Sequence, residues 1–379
     1  MKKILMIMKY PLAETYTLKQ KFNGQMAALS NMGLEVWYLS FDHEYIYLNH
    51  GDEREKINKT IMGKNRHYIH TLAFIDLYRS VLKVLQKKSF DYVYFRKSPI
   101  GIIGYRMCRK IGKMDTKLIV EIPTYPEEGE KAKNVLRSIY SKYSRMWWKK
   151  CYPKVKLFTL IGKASDNYKG YPAINIENGV YVDNIPLREP KEDGRIHLLA
   201  LASMCVWHGY DRIIQSLADY QGEDKEDIII DMVGNEGDGS LEKWKSLAES
   251  QGVGSQVIFH GRKEGEDLNT IFNQSTLGIC SLGLYRNGFE KGSILKLREY
   301  TARGLPFVYA AEDPCVNTEM GYCYKVSNND EPIGMAGIVE FAKKVAGNTD
   351  LGNSMRNYAK NNISWEGQYK KIFSYFEND

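Results

Sequence analysis

Six short apolar runs punctuate the first half of the chain: residues 4–8 (ILMIM), 36–39 (VWYL), 92–95 (YVYF), 117–122 (KLIVEI), 156–161 (KLFTLI) and 173–179 (AINIENG). Most do not alternate apolar with polar, so each predicts a strand buried on both faces. Between the first two, Leu18, Phe22, Met26 and Leu29 fall near helical spacing, and Gly33 stands just past them where a helix closes. Strand and helix repeated in this way predict a parallel sheet covered on both faces. The second half keeps the rhythm at 197–203 (HLLALAS), 227–234 (DIIIDMVG), 256–261 (QVIFHG), 277–282 (LGICSL), 306–310 (PFVYA) and 322–326 (YCYKV). The expected architecture is therefore α/β, with two doubly wound parallel sheets in tandem and a cleft between them.

The length of 379 residues agrees, since it exceeds what one core usually supports. Residues 184–195 (NIPLREPKEDGR) mix prolines with charges and carry no apolar period, which marks a linker. The expected domains are residues 1–185 and 190–362. Trp365, Tyr369, Phe373 and Phe376 then space a terminal amphipathic helix over 363–379. No apolar run approaches the roughly 18–20 residues that cross a bilayer. The apolar start is too short for a secretory leader and reads as the first strand. Six cysteines without a CxxC or Cys/His cluster read as reduced thiols, and the chain as cytoplasmic.

Charge changes the picture through its distribution. Residues 1–190 hold 33 Lys+Arg and 18 Asp+Glu, a net +15, whereas residues 191–379 hold 20 and 28, a net −8. A basic half suits phosphate, anionic lipid or nucleic acid, and also serves simply to solubilise. Within it, residues 137–156 (RSIYSKYSRMWWKKCYPKVK) interleave Ile139, Tyr143, Met146, Trp147 and Trp148 with Arg137, Lys142, Arg145, Lys149 and Lys150. Such a mixture fits peripheral contact with an anionic membrane. It fits equally an amphipathic helix packing Trp147 on the sheet. No nucleic-acid reading motif accompanies the charge.

Candidate chemistry concentrates at residues 286–306 (RNGFEKGSILKLREYTARGLP). Gly288 and Gly292 flank a charged trio. Ser293 stands where a helix N-cap belongs, ahead of Ile294, Leu297 and Tyr300. A helix N-terminus attracts phosphate, and Arg286, Lys291 and Lys296 add charge. Glu299 follows, placed to grip the vicinal hydroxyls of a sugar such as ribose. Taken alone, the pattern equally describes a capped surface helix with a solvated glutamate.

The neighbouring strand ends point the same way. HLLALAS runs into His208, Gly209 and Arg212; DIIIDMVG ends at Gly234 in a glycine-rich turn; QVIFHG ends in Arg262; LGICSL leads to Arg286. At one sheet edge these groups describe a pocket for a base, a ribose and a diphosphate. In the first half, KYPLAETYTLKQKFNGQ (9–25), which includes Lys21, follows the first strand and could close over an acceptor. EIPTYPEEGE (121–130) leaves the fourth strand carrying Glu121, Thr124, Tyr125, Glu127, Glu128 and Glu130.

At these residues the chain resembles the retaining family-4 glycosyltransferases of the GT-B fold. The resemblance lies in HGYDRII, IFHGRKEGEDLNTIFNQSTLGICSLGLYR, SILKLREYTARGLPFVYA and IENGVYVDNIPLR, and covers most of the chain. EIPTYP looks like a loop of members that assemble bacterial polysaccharides. The resemblance implies transfer of a sugar, with retention, from a nucleotide-sugar donor such as a UDP- or GDP-sugar to a glycan or polyprenyl-linked acceptor. The second half would bind the donor and the first half the acceptor, with the terminal helix returning to the first domain. Glu299 maps onto the family's ribose glutamate.

Two departures stand out. The family's first glutamate falls on Lys291, with Glu290 one place away, so either the loop shifts or the residue's role changes. Its phosphate-binding lysine before glycine is replaced by His208. The implied catalytic set is then Glu290, Lys291 and Arg286. The implied donor set is Glu299, Ser293, Gly292, Lys296, His208, Gly209, Arg212, Gly234 and Arg262, and the acceptor set Glu121, Thr124, Tyr125 and Lys21. No two aspartates are separated by one residue, so the Asp-x-Asp metal site of the other large glycosyltransferase fold is absent. A mechanism without metal or cofactor is expected, with cations and helix-terminal amides neutralising the leaving diphosphate. The alternatives are a nucleotide-sugar epimerase of the same plan, using Glu121, Glu127 and Glu128, and a non-catalytic sugar-nucleotide binding partner.

Overall fold

All twelve apolar runs become strands. In the computed structural model, which describes residues 1–8, 16–42, 44–61, 73–127, 135–191, 193–346, 348 and 350–377, the chain forms two units. One comprises Met1–Glu177 with Trp365–Asp379, the other Asn178–Ser364.

The first unit runs β1 (Lys3–Ile7), α1 (Tyr16–Asn31), β2 (Glu35–Phe41), β3 (Tyr45–His50), β4 (Glu53–Lys59), α2 (Ala73–Lys87), β5 (Tyr92–Arg96), α3 (Ile102–Ile111), β6 (Lys117–Tyr125), α4 (Val135–Cys151), β7 (Leu157–Gly162), β8 (Asn167–Tyr168) and β9 (Tyr171–Ile176). Its sheet has the order β4-β3-β2-β1-β5-β6-β7-β9-β8. From β2 to β9 the pairing is parallel, and Leu5, Val93, Leu118, Val120 and Phe158 are fully buried in the core. The edges depart from the sequence expectation of a purely parallel sheet, because β3 and β4 add an antiparallel meander and β8 an antiparallel ribbon. Strand β4 (EREKINK) is charged and mostly exposed. Charge protects a sheet edge from pairing with another chain, and it also hides the strand from an apolar pattern.

The second unit runs β10 (Ile196–Leu201), α5 (Tyr210–Asp219), β11 (Ile228–Val233), α6 (Ser240–Ser250), β12 (Val257–Gly261), α7 (Gly265–Gln274), β13 (Leu277–Ile279), α8 (Leu295–Arg303), β14 (Phe307–Tyr309), β15 (Cys323–Lys325), α9 (Met335–Ala346) and α10 (Leu351–Asn362). Its six strands are all parallel, in the order β12-β11-β10-β13-β14-β15. Chain direction across the sheet reverses between β10 and β13, which opens a crevice at the strands' C-terminal ends.

The expected linker at 184–195 is not the boundary. The Arg188 amide donates to Arg303 O at 2.9 Å, its guanidinium to Gly304 O and Ser275 O, and the Lys191 amide to Asn273 O. These bonds lay the segment along the second unit. Its prolines and charges reflect a surface strap, and the chain crosses instead at 177/178 and 364/365. Helix α11 (Trp365–Glu377) belongs to the first unit, with Tyr369 against Tyr94 and Phe373 against Tyr92.

Candidate functional site

The reversal point of the second sheet brings together the exits of β10 and β13 and the start of α8. Beyond β10 the chain makes a short turn at Val206–His208 and reaches Gly209 at φ +63°. A Cβ on Gly209 would lie 2.6 Å from Gly283 N and 2.8 Å from Leu282 C, so only glycine lets the two exits touch. Leu282 N donates to His208 O at 2.8 Å across the junction. Gly234 answers to the same kind of constraint, since a Cβ there would meet Ala202 O at 1.6 Å.

Lys296, in the first turn of α8, is buried at this junction. Its Nζ lies 2.8 Å from Tyr210 OH and 3.1 Å from His208 Nδ1, and that nitrogen is 2.8 Å from Ser281 Oγ. Among the described residues no carboxylate pairs with the ammonium. Burial lowers its pKa to about 7. The same burial, with Lys296 second, holds His208 well below the ordinary range. A neutral imidazole that accepts from Lys296 at Nδ1 carries its proton on Nε2, as a donor. The junction is thus an amine whose charge burial disfavours, beside a neutral ring, where ligands of such sheets sit.

The other cations read from the sequence are differently engaged. Arg286 makes a bidentate pair with Asp211 at 2.8 and 2.7 Å. Arg212 spends its bonds on Leu282 O, Ser327 O, Ser327 Oγ and Glu331 O, clamping two loops. Lys291 is exposed and pairs with Glu312 at 3.0 Å, and Arg262 pairs with Glu264. Glu290 is exposed, and residues 290–292 are zipped to Glu312 through Glu312 N to Glu290 O and Gly292 N to Glu312 O.

Ser293 does not cap the helix. The N-cap position falls on Ile294, whose amide donates to Asp313 Oδ2 at 2.8 Å. The Ser293 hydroxyl instead accepts from Asn178 N at 2.8 Å and from Arg298 Nη2 at 3.0 Å. Arg298 also forms a buried pair with Asp313. Asp313 lies beyond β14, and no spacing in the sequence tied it to this helix. Glu299, one turn after Lys296, is 7% exposed and accepts from Arg303 Nε at 3.0 Å.

In the first unit, Glu121, in the middle of β6 and level with the end of β5, meets Lys21 of α1. Glu121 Oε1 accepts from Lys21 Nζ at 2.9 Å and Arg96 Nη1 at 2.7 Å, and Oε2 from Tyr94 OH at 2.7 Å and Gln25 Nε2 at 3.3 Å. Despite burial, those cations and donors bring its pKa down to about 2. A carboxylate so occupied is an anchor for Lys21 and Arg96, with nothing left for an acceptor hydroxyl. Thr124 is exposed, and Tyr125 O accepts from Lys163 N at 2.9 Å. Glu127 is engaged by Lys97, Tyr168 and Lys169. Glu128, Glu130 and residues 9–15 of the proposed acceptor loop lie outside the described residues.

No protein-family model matches the chain. A search of curated proteins finds an uncharacterized glycosyltransferase of Methanocaldococcus jannaschii, 25% identical over 211 residues. The match takes in 55% of this chain and 52% of that protein, so it spans about half the length of the relative. Among solved structures, the sucrose-phosphate synthase of Thermosynechococcus elongatus superposes with a TM-score of 0.67 at 11% identity, over 100% of this chain and 99% of that one. The Anabaena protein HepE, in complex with UDP and glucose, gives a TM-score of 0.65 at 11% identity over 100% of both chains. At such identities the likeness speaks for the fold, which is GT-B: two Rossmann-like units, each built on a parallel sheet.

Proposed function

We propose that the protein is a glycosyltransferase whose second unit binds a nucleotide-sugar through its diphosphate. The single observation that carries this reading is Lys296, a buried amine without a carboxylate partner among the described residues, at the reversal point of a doubly wound sheet. A bound diphosphate supplies the missing counter-charge, and His208 stands beside it as a neutral donor. Glu299, three residues on along the same helix, takes the ribose. The HepE complex, in which this fold holds UDP and glucose, supports the same class of donor.

In the reaction, the bond between the sugar's anomeric carbon and the diphosphate breaks, and the acceptor hydroxyl bonds to that carbon on the same face. The departing phosphate takes the hydroxyl proton, while Lys296 and nearby amides stabilise the charge it acquires. Glu290 and Lys291, in the exposed loop bridged to Glu312, are the groups we assign to the transferred hexose. The acceptor is a glycan or a polyprenyl-linked sugar of a surface polysaccharide, held by the first unit around Arg96 and Lys97 at the end of β5. The epimerase alternative is disfavoured by the first unit's carboxylates, because Glu121 and Glu127 are both saturated by cations and tyrosines.

The test is titration of the purified protein with UDP-, GDP- and ADP-sugars, followed by product analysis with and without lipid-linked and oligosaccharide acceptors. One donor is expected to bind and to yield glycan only when acceptor is present. Failure to bind any of them, or conversion of the donor to its epimer without acceptor, would overturn the reading.

A further inference from the structure

Helix α4 turns Ser144, Trp148 and Cys151 inward, and all three are buried. Trp148, which the sequence offered to a membrane, stacks on Phe95 and donates its indole N–H to Ser98 O, so it is core. Trp147 is half-buried against Tyr105 and Tyr143. The opposite face is the unusual one. Ile139, Tyr143 and Met146, at helical spacing, are 59%, 42% and 45% exposed. Tyr140 widens the strip, and Ile102 at the start of α3 extends it, since the Tyr143 ring lies against Gly101.

Lys142, Arg145 and Lys149 run along one side of this strip with Lys150 at its end, all exposed. Residues 135–151 contain no acidic side chain. A solvated helix face would carry both signs of charge and few large apolar groups. An apolar ridge with a row of cations along one side matches an interface that is oily at its centre and negative at its rim.

We infer that this face of α4, with Ile102, docks on an anionic bilayer surface. Ile139, Tyr143 and Met146 enter the headgroup boundary, and Lys142, Arg145, Lys149 and Lys150 reach lipid phosphates while their methylene stems lie along the acyl edge. A second copy of the chain fits poorly, because a two-fold contact through this ridge would bring two basic rows together. The strip adjoins the segment after β5, where the Tyr143 ring lies against Gly101. Docking there brings the membrane to the side of the first unit that carries Lys97, whose Nζ lies 5.6 Å from the Trp148 ring. That a lipid-borne acceptor is then presented to this cation rests on the proposed transferase reading, whereas the docking surface does not.

The experiment is cosedimentation of the full chain with vesicles of phosphatidylcholine, alone or with one third phosphatidylglycerol, at low and high salt. Binding is expected only to the mixed vesicles and is expected to fall at high salt, where screening shortens to a few ångströms. The triple variant Ile139→Ser, Tyr143→Ser, Met146→Ser should lose at least about tenfold of that binding, and so should Lys142→Gln, Arg145→Gln, Lys149→Gln. Both should keep the wild-type melting temperature and nucleotide-sugar affinity. If the triple variant misfolds, the single changes Ile139→Ser and Met146→Ser, each at a half-exposed position, make the same test. Equal binding by wild type and variants, no vesicle binding by the wild type, or a wild-type dimer that the triple variant disperses would each overturn the inference. Vesicle binding without any transferase activity would leave the surface standing and remove only the acceptor argument.

Discussion

A lysine that shares its ammonium with a phenol and an imidazole is costly to keep charged, and Lys296 is so placed. Burial brings its pKa to about 7, so near neutrality the free protein is a mixture of charged and uncharged amine. An anion bound there favours the charged form and raises that pKa. Below pH 7 the lysine is already protonated and affinity should be level. Above it, binding must take up a proton, and affinity for the proposed donor should weaken about tenfold per pH unit until the bound-state pKa is reached. Calorimetry in buffers of different ionisation enthalpy reads this uptake directly. Lys296→Met should weaken donor binding by about 1.5–3 kcal/mol, the loss of a charged hydrogen bond, and abolish the pH slope. A slope that survives the substitution would assign the proton elsewhere.

Between elements, the Glu121 cluster ties α1 by side-chain contacts to the paired strands β5 and β6. Lys21 is 2% and Glu121 1% exposed at the side chain. Burial keeps the Lys21 pKa at about 8 even beside the carboxylate, so the pair only partly offsets the cost of bringing that amine out of water. Removing the carboxylate is worse, because it leaves Lys21 and Arg96 facing each other. Glu121→Gln should therefore lower the first unit's unfolding free energy by about 3–5 kcal/mol in denaturant titration at neutral pH. Because the folded carboxyl sits near 2, below its ordinary 4.5, its contribution is present above pH 4.5 and is lost as pH falls towards 2. The wild type should lose stability through that window, whereas the Gln variant should lack this component. An unchanged midpoint at neutral pH would mean the cluster orients Arg96 without stabilising the fold.

At the scale of the whole molecule, a chain that leaves its first unit at residue 177 and re-enters it at 365 makes that unit depend on its last helix. Trp365 and Tyr369 are each 1% exposed, and Lys21 Nζ lies 5.4 Å from the Trp365 ring. Truncation after Ser364 would uncover Tyr94 and the Glu121 cluster to water. The expected outcome is a first calorimetric transition lowered by several degrees, with the Lys296 site in the second unit still binding the donor. A single transition shifted as a whole would show that the two units melt together.

Twelve strands and the terminal helix could be read from the chain because burial on both faces and helical spacing are local demands on neighbouring residues. The charged edge strand β4 could not, since what makes it a strand is the neighbour it pairs with. The site divided in the same way. The candidate cations were legible, but which of them stay available was not. Arg286 is neutralised by Asp211, 75 residues away, and Lys21 by Glu121, 100 residues away. Ser293 gave its hydroxyl to Asn178 N, 115 residues distant, and left the helix start to Asp313. The sequence by itself determined the two sheets and the row of candidate cations, because those depend on local spacing. Tertiary structure alone decided that Lys296 has no carboxylate partner among the described residues, because a charge is cancelled by whatever the fold brings beside it.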